Sequence, residues 1–289
     1  MPARTHARKY RATETCALLV GINYVGTEAE LRGCVADTYR LQQALVESGT
    51  CSQNDVRLLG DHSFGTTYPT RANMLKQIRA FVRKGRRTRG IRSVVLHFSG
   101  HGTQLWDDSQ VGAGDDGGPA ADQDIEHDLR DEALCPVDYA VAGMIRDDDL
   151  YKAVREALAD DTDTAVFVLL DCCNSGSGAD LPFRAELADD GAWAHHVDGV
   201  DELAGHVTMI SGCADHQYSA DAWFPGRQEF GGAMTNALLA VTDGCRELRT
   251  KPAKQIVAEM HAWLHGHGFE QRPQLSSSFV MDDAQTLLP

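Results

Sequence analysis

The sequence predicts an α/β fold: a mainly parallel central sheet with helices on both faces. Three observations lead there. Apolar runs alternate with amphipathic stretches in the order strand–helix–strand–helix, the pattern of parallel strands joined by helical crossovers. Residues 164–171, TAVFVLLD, are apolar at nearly every position, as a strand buried on both faces must be. Residues 93–100, SVVLHFSG, form a second such run and end in glycine.

The remaining elements follow in order. CALLVGI at 16–22 reads as a buried strand. Residues 37–48 have helical spacing through Tyr39, Leu41, Leu45 and Val46. DVRLLG at 55–60 is a short strand, and Thr70 caps a helix whose apolar face is Met74, Ile78, Phe81 and Val82. Residues 147–160 form a helix with acids at its positive end. HVTMISG at 206–212 is a further strand, followed by helices near 232–241 and 252–265. Two stretches, 110–130 and 175–205, are poor in apolar residues and read as long loops. The second divides a large part, about 15–174, from a small part, about 206–289, within one domain spanning 15–289. Residues 1–14 form a basic arm carrying Arg4, Arg8, Lys9 and Arg11.

Composition narrows the function classes. With 43 % hydrophobic residues in 289, the chain can bury a sizeable core. Its net charge of −15 disfavours nucleic acid and suits a basic peptide or a hard cation. No run of about 18 apolar residues spans a membrane, and the basic N-terminus lacks the apolar stretch of a secretory signal. Eight cysteines without framework spacing point to a reduced, cytoplasmic setting.

Ligands of a parallel sheet bind beyond the carboxyl ends of its strands. Two of those ends carry reactive side chains. VVLHFSGHG delivers His101 between two glycines, and FVLLDCCNSGSG delivers Cys172 and Cys173 after Asp171. Glycines there let the backbone turn tightly and leave N–H groups free to face an oxyanion. A thiol beside an imidazole is the minimum equipment for acyl transfer. A cysteine at a strand end is also a common small core residue, and a lone histidine is often plain surface. The residues alone leave both readings open.

HFSGHG followed by DCCNSG resembles the metacaspase branch of the caspase-like cysteine peptidases. LRGCVADTYRL, DEALCPVDYAVAGMIRDDDL, SGCADHQYSAD and PQLSSS extend the resemblance over nearly the whole chain. It implies a caspase-like (caspase-hemoglobinase) fold in a compact form without an N-terminal prodomain. It also implies a monomer that cuts protein or peptide substrates after Arg or Lys, stimulated by Ca²⁺. Carried onto this sequence, the base is His101 and the nucleophile is Cys173. Strand parity agrees, turning Cys172 inward when Cys173 faces the site. The main-chain N–H groups of Gly102 and Cys173 are the implied oxyanion donors. The implied pocket for the basic side chain is Asp37, Asp171, Ser99 and Cys34. Two carboxylates in a partly dry pocket would hold a cation and reject an acid, although Asp37 also reads as a helix N-cap. Asn174 departs from the family, which has histidine there.

The acids at 115–116, 122–131 and 147–149 do not have EF-hand spacing, and by spacing alone they are a solvated loop. The resemblance instead implies calcium ligands at Asp131, Asp147, Asp148 and Asp180. Converging carboxylates repel one another without a cation, and hard oxygens suit Ca²⁺. No Cys/His pair has zinc-ligand spacing. Between Asn174 and His206 the one basic residue is Arg184, which makes it the expected autoprocessing position. Trp223 and Phe224 fit a substrate subsite or core packing equally well. Competing readings are an Arg-preferring peptidase of the same fold without calcium dependence and a non-catalytic calcium-responsive scaffold. A thiol-redox enzyme would need Cys-x-x-Cys spacing that Cys172–Cys173 lacks.

Overall fold

The structure is a computed structural model that describes residues 14–62, 67–87, 91–106, 130–172, 181–188, 191–197, 203, 205–213, 222–224 and 229–289. Strands β1 (Thr15–Gly21), β3 (Ser93–Ser99) and β7 (Ala165–Asp171) are buried along almost their whole length. Only the middle of a sheet covered on both faces offers such a place. With β2 (Cys51–Gly60) and β10 (His206–Cys213) they form a parallel array in the order β2-β1-β3-β7-β10.

Alternating side chains feed two cores. On one face Leu18, Val20, Leu96, Val166 and Val168 pack under α2 (Arg71–Arg87) and α4 (Asp147–Leu158). On the other, Leu19, Phe167, Leu169 and Ile210 pack under α1 (Cys34–Glu47), α5 (Ala233–Val241) and α6 (Ala253–Gly266). Helix α2 starts as its sequence requires, the Asn73 N–H donating to Thr70 Oγ1. Leu169 lies in the fourth strand of the sheet and is fully buried. Leu169→Ala is expected to cost about 2–5 kcal/mol, measured by urea titration.

The helices and the parallel strands agree with the sequence reading, whereas the small part of the chain is richer in strands. The stretch at 175–205 holds β8 (Phe183–Leu187) and β9 (Trp193–Val197), so it is not a simple loop. They continue the sheet through β13 (Arg272–Ser277), giving β10-β13-β8-β9 with antiparallel pairing throughout. A polar strand such as β13 is tolerated inside because its hydroxyls find partners. Beside it, Ser278 Oγ donates to Gly205 O and accepts from Val207 N–H.

Beyond β3 the chain makes a second, three-stranded antiparallel sheet from β4 (Gly102–Trp106), β5 (Arg130–Leu134) and β6 (Ile145–Arg146). The one-turn helix α3 (Tyr139–Ala142) lies between β5 and β6. A small ribbon of β11 (Ala222–Phe224) and β12 (Glu229–Gly231) leads into α5. Residues 107–129, most of the stretch read as the first loop, lie outside the described residues. Among the described residues, no helix is long and apolar enough to cross a membrane. Cys16, Cys34, Cys51, Cys135, Cys172 and Cys245 are all buried and none of these six forms a disulfide.

Candidate active site

Register places three strand ends in a row. Gly21 of β1 lies opposite Ser99 of β3, and Ser99 lies opposite Asp171 of β7. Each chain then leaves the sheet toward the same end, carrying Tyr24 after β1, His101 after β3 and Cys172 after β7. Cys172 is fully buried in the core beside Leu170. Cys173, Asn174 and Asp180 lie outside the described residues.

His101 is held from three sides. Its Nε2 is 2.8 Å from the Ala29 carbonyl oxygen, which can only accept, so Nε2 carries the proton. In the neutral form of the ring the lone pair is then on Nδ1, where a general base needs it. The Tyr24 ring packs against the imidazole at 4.8 Å between centroids. The buried Tyr24 hydroxyl donates to Cys135 O at 2.7 Å and accepts from His101 N–H at 2.9 Å. Burial raises the phenol's pKa well above its usual value, so the hydroxyl stays a donor.

Position explains why that hydroxyl matters. Cys135 N–H donates to His101 O at 3.0 Å, and an antiparallel pair would normally return a bond from His101 N–H to Cys135 O. Tyr24 Oη stands between those two groups and replaces the direct bond. At the next residue the alternation reverses, so the Gly102 N–H, opposite Leu134, points away from β5. Gly100 must be glycine, since a Cβ there would meet the Phe98 ring at 2.8 Å and Tyr24 Oη at 2.9 Å.

The second group of residues is a buried acid pair. Helix α1 begins at Cys34 with Gly33 as its N-cap, so Asp37 sits in the first turn and is not the cap. A Cβ on Gly33 would lie 2.5 Å from Gly231 N, so the close approach of β12 sets where the helix starts. Asp37 turns inward, fully buried, accepting from Ser99 Oγ at 3.0 Å, Gly232 N–H at 2.7 Å and the Arg40 guanidinium at 2.6 Å. Asp171, also fully buried, accepts from Thr235 N–H at 2.8 Å at the start of α5. Its Oδ1 has no hydrogen-bond partner. Burial pushes both carboxyls above the usual carboxylate range; the Asp171 charge adds to the effect on Asp37, and Arg40 opposes it. His97, behind the pair, shares a 3.0 Å hydrogen bond with Thr235 Oγ1, and burial lowers its pKa to about 3, so it is neutral. Cys34 is buried at the head of α1.

Residues 16–182 match the family model of the metacaspase peptidase C14 domain. Metacaspase-2 of Trypanosoma brucei brucei is 33 % identical over 283 residues, covering 93 % of this chain and 75 % of that protein. The chain belongs to the metacaspase family. Metacaspase-1 of Mycosarcoma maydis is 30 % identical over 310 residues, covering 92 % and 71 %. Among solved structures, a Geobacter sulfurreducens protein superposes with a TM-score of 0.60 at 23 % identity, covering 96 % of this chain and all of that one. Caspase-1 from Spodoptera frugiperda gives 0.54 at 10 % identity, covering 100 % and 96 %, so the fold is caspase-like. As a metacaspase, the chain is a caspase-like cysteine peptidase acting on proteins.

The remaining expected metacaspase residues are spread unevenly. Asp131 lies in β5, and Asp147 and Asp148 open α4. Asp147 is buried and accepts from Glu132 N–H and Asp148 N–H, both at 2.9 Å. Burial, then the charges of Glu132 and Asp131, raise its pKa. Asp131 pairs with the Arg146 guanidinium. Among the described residues no group of three metal-ligating side chains converges.

Arg184 is in β8, paired to Ser276 on one side and His196 on the other. Its context is therefore a strand within the sheet and not the linker loop the sequence suggested. A peptidase needs an extended segment with free edges, so β8–β9 must leave the sheet before the Arg184–Ala185 bond can be cut. Phe224 is buried, with its ring 6.3 Å from Trp263 and 5.9 Å from Phe269, which is core packing. The side chain of Trp223 lies outside the described residues. Sequence reasoning missed Tyr24, the Ala29 carbonyl, Arg40 and the Gly231–Gly232 pair. Only Tyr24 had a signal, lying just past the glycine that ends β1.

Proposed function

We propose that this metacaspase cuts proteins after Arg or Lys, with Cys173 as nucleophile and His101 as base. The observation that carries this reading is the buried carboxylate pair Asp37–Asp171, set at the same row of strand ends as His101. Two acids in a dry pocket favour a guanidinium or ammonium and reject an acidic side chain. His101 Nδ1 takes the thiol proton, and the Cys173 thiolate attacks the carbonyl carbon after the basic residue. Charge develops on the carbonyl oxygen, which the N–H groups of Gly102 and Cys173 stabilise. The C–N bond breaks as His101 returns the proton to the leaving amine, and water then hydrolyses the thioester. The test is hydrolysis of matched fluorogenic peptides bearing Arg, Lys or Asp before the scissile bond, by wild type and Cys173→Ala. Cleavage after Arg and Lys, absent after Asp and lost in the variant, is expected. Cleavage after Asp would sink the acid-pocket assignment.

The reading includes calcium. The donors Asp131, Asp147 and Asp148 are hard oxygens, and Asp147 is buried among like charges, which fits a Ca²⁺ ion. With Asp180 they would hold the ion, and Arg146 would have to give up Asp131. The bound ion would neutralise these charges. EGTA is expected to remove most of the activity and to lower the melting temperature of the Cys173→Ala protein. Unchanged values for both would exclude a calcium site. Autoprocessing after Arg184 belongs to the same reading, conditional on release of the β8–β9 hairpin. Its check is fragment mass after incubation of the full chain with calcium.

A further inference from the structure

The acid pair that should receive a substrate's basic side chain already has a guanidinium on it. Arg40, one turn after Asp37 on α1, points inward with its side chain 18 % exposed and donates to Asp37 Oδ1 at 2.6 Å. The same nitrogen lies 3.3 Å from Phe230 O on β12. Arg40 thus joins one acid of the pocket to the strap formed by β12 and Gly232.

The strap covers the pair closely. A Cβ on Gly232 would stand 2.0 Å from Asp171 Oδ2, and one on Gly231 would stand 2.3 Å from the Arg40 guanidinium. Gly232 N–H donates to Asp37 Oδ2, and the Arg32 guanidinium lies 5.2 Å from the centre of the Phe230 ring. Both acids are fully buried beneath this cover, so no side chain from outside reaches them without a change. Asp171 Oδ1 is meanwhile a buried acceptor with no hydrogen-bond partner. Such an atom ordinarily has a donor, and the pocket's missing donor is of the kind a basic side chain supplies.

We propose that Arg40 is a built-in competitor for the substrate's basic side chain, holding Asp37 and the glycine strap closed until substrate displaces it. The inference rests on the Arg/Lys reading above and adds how that pocket is gated. An arriving guanidinium would take Asp171 Oδ1 and the face of Asp37 that Arg40 vacates, while Arg40 swings outward on the exposed side of α1. Apparent affinity for substrate is reduced by the exchange, because one charge-assisted hydrogen bond must break before another forms.

Arg40→Met keeps the stem and removes the cation. KM for a P1-Arg peptide is expected to fall about tenfold at unchanged kcat, the scale of one charged hydrogen bond no longer opposed. The inhibition constant of benzamidine, a free amidinium, should fall by the same factor. Benzamidine should also raise the melting temperature of this variant more than that of wild type, since it takes the place the guanidinium left. Arg40→Lys restores a cation and should return KM toward the wild-type value. Phe230→Ala leaves Arg40 in place but removes the ring under Arg32, and should lower KM by a smaller factor. This second route keeps the test open if Arg40→Met does not fold. Values of KM and benzamidine inhibition that stay unchanged or rise in the folded variants would make Arg40 a structural clamp and overturn the proposal. Failure of the underlying reading has a different signature: wild type and variants would cleave after some other residue, never after Arg or Lys, and benzamidine would not bind.

Discussion

His101→Ala is expected to lower kcat by about 10²–10⁴-fold, the contribution typical of a positioned general base, with KM little changed. The protein should keep its fold, because the imidazole is only part-buried and, among the described residues, its side chain meets one carbonyl and one ring. Steady-state kinetics beside a melting curve separate the two outcomes, and a variant with wild-type kcat would remove His101 from the mechanism. Tyr24→Phe is the informative companion. It keeps the ring against His101 but removes the hydroxyl between His101 N–H and Cys135 O. Those two groups would then close into a direct bond, drawing His101 toward β5 and away from the Ala29 carbonyl. We expect kcat to fall about tenfold and the pH–rate profile to shift, at a stability cost of about 1 kcal/mol. A purely structural tyrosine would show the stability loss without the change in profile.

The parts of this picture visible in the sequence are those set by local pattern. Strands β1, β3 and β7 announce themselves because burial on both faces demands apolar residues at every position. The glycines around His101 and the motif at Cys173 are equally local. What the sequence hides is set at long range. Helix α1 starts at Cys34, where Gly33 meets Gly231 almost two hundred residues later, and Asp37 is a buried acid of the first turn instead of the cap. Tyr24 bridges to Cys135 and Arg40 to Phe230, contacts with no trace in periodicity. Strands β8, β9 and β13 were missed for a different reason: FRAEL, WAHHV and RPQLSS are mixed or polar, and only their position beside β10 makes them part of the sheet.

Asp171→Asn is expected to lower kcat/KM for a P1-Arg peptide by about 10²–10³-fold, the scale of losing one partner of a buried ion pair. Stability should move the other way at neutral pH, and the sign follows from the pKa direction. Burial raises the Asp37 and Asp171 carboxyls above their unfolded values, so the folded chain binds the proton more tightly than the unfolded one. The contribution of the pair to stability is therefore full in acid. It declines as pH rises past the ordinary carboxylate range, until the raised folded values are passed. The amide introduced by the substitution would imitate the protonated acid at every pH. The stability difference between variant and wild type should therefore favour the variant more at about pH 8 than at about pH 5. Melting curves of both proteins in EGTA measure this, because Asp147 and its neighbouring acids are common to both and cancel. If the pair receives a basic side chain as proposed, the same titration acts on catalysis in the opposite sense, since that side chain would bind best when the pair's last proton has left. Wild-type preference for Arg over an uncharged residue of equal size should rise with pH, and that rise should be weaker in Asp171→Asn. Both results together would mark a pair that costs stability without substrate and gains selectivity when a basic side chain binds. Equal pH dependence of stability in the two proteins would show instead that Asp171 serves only to cap α5.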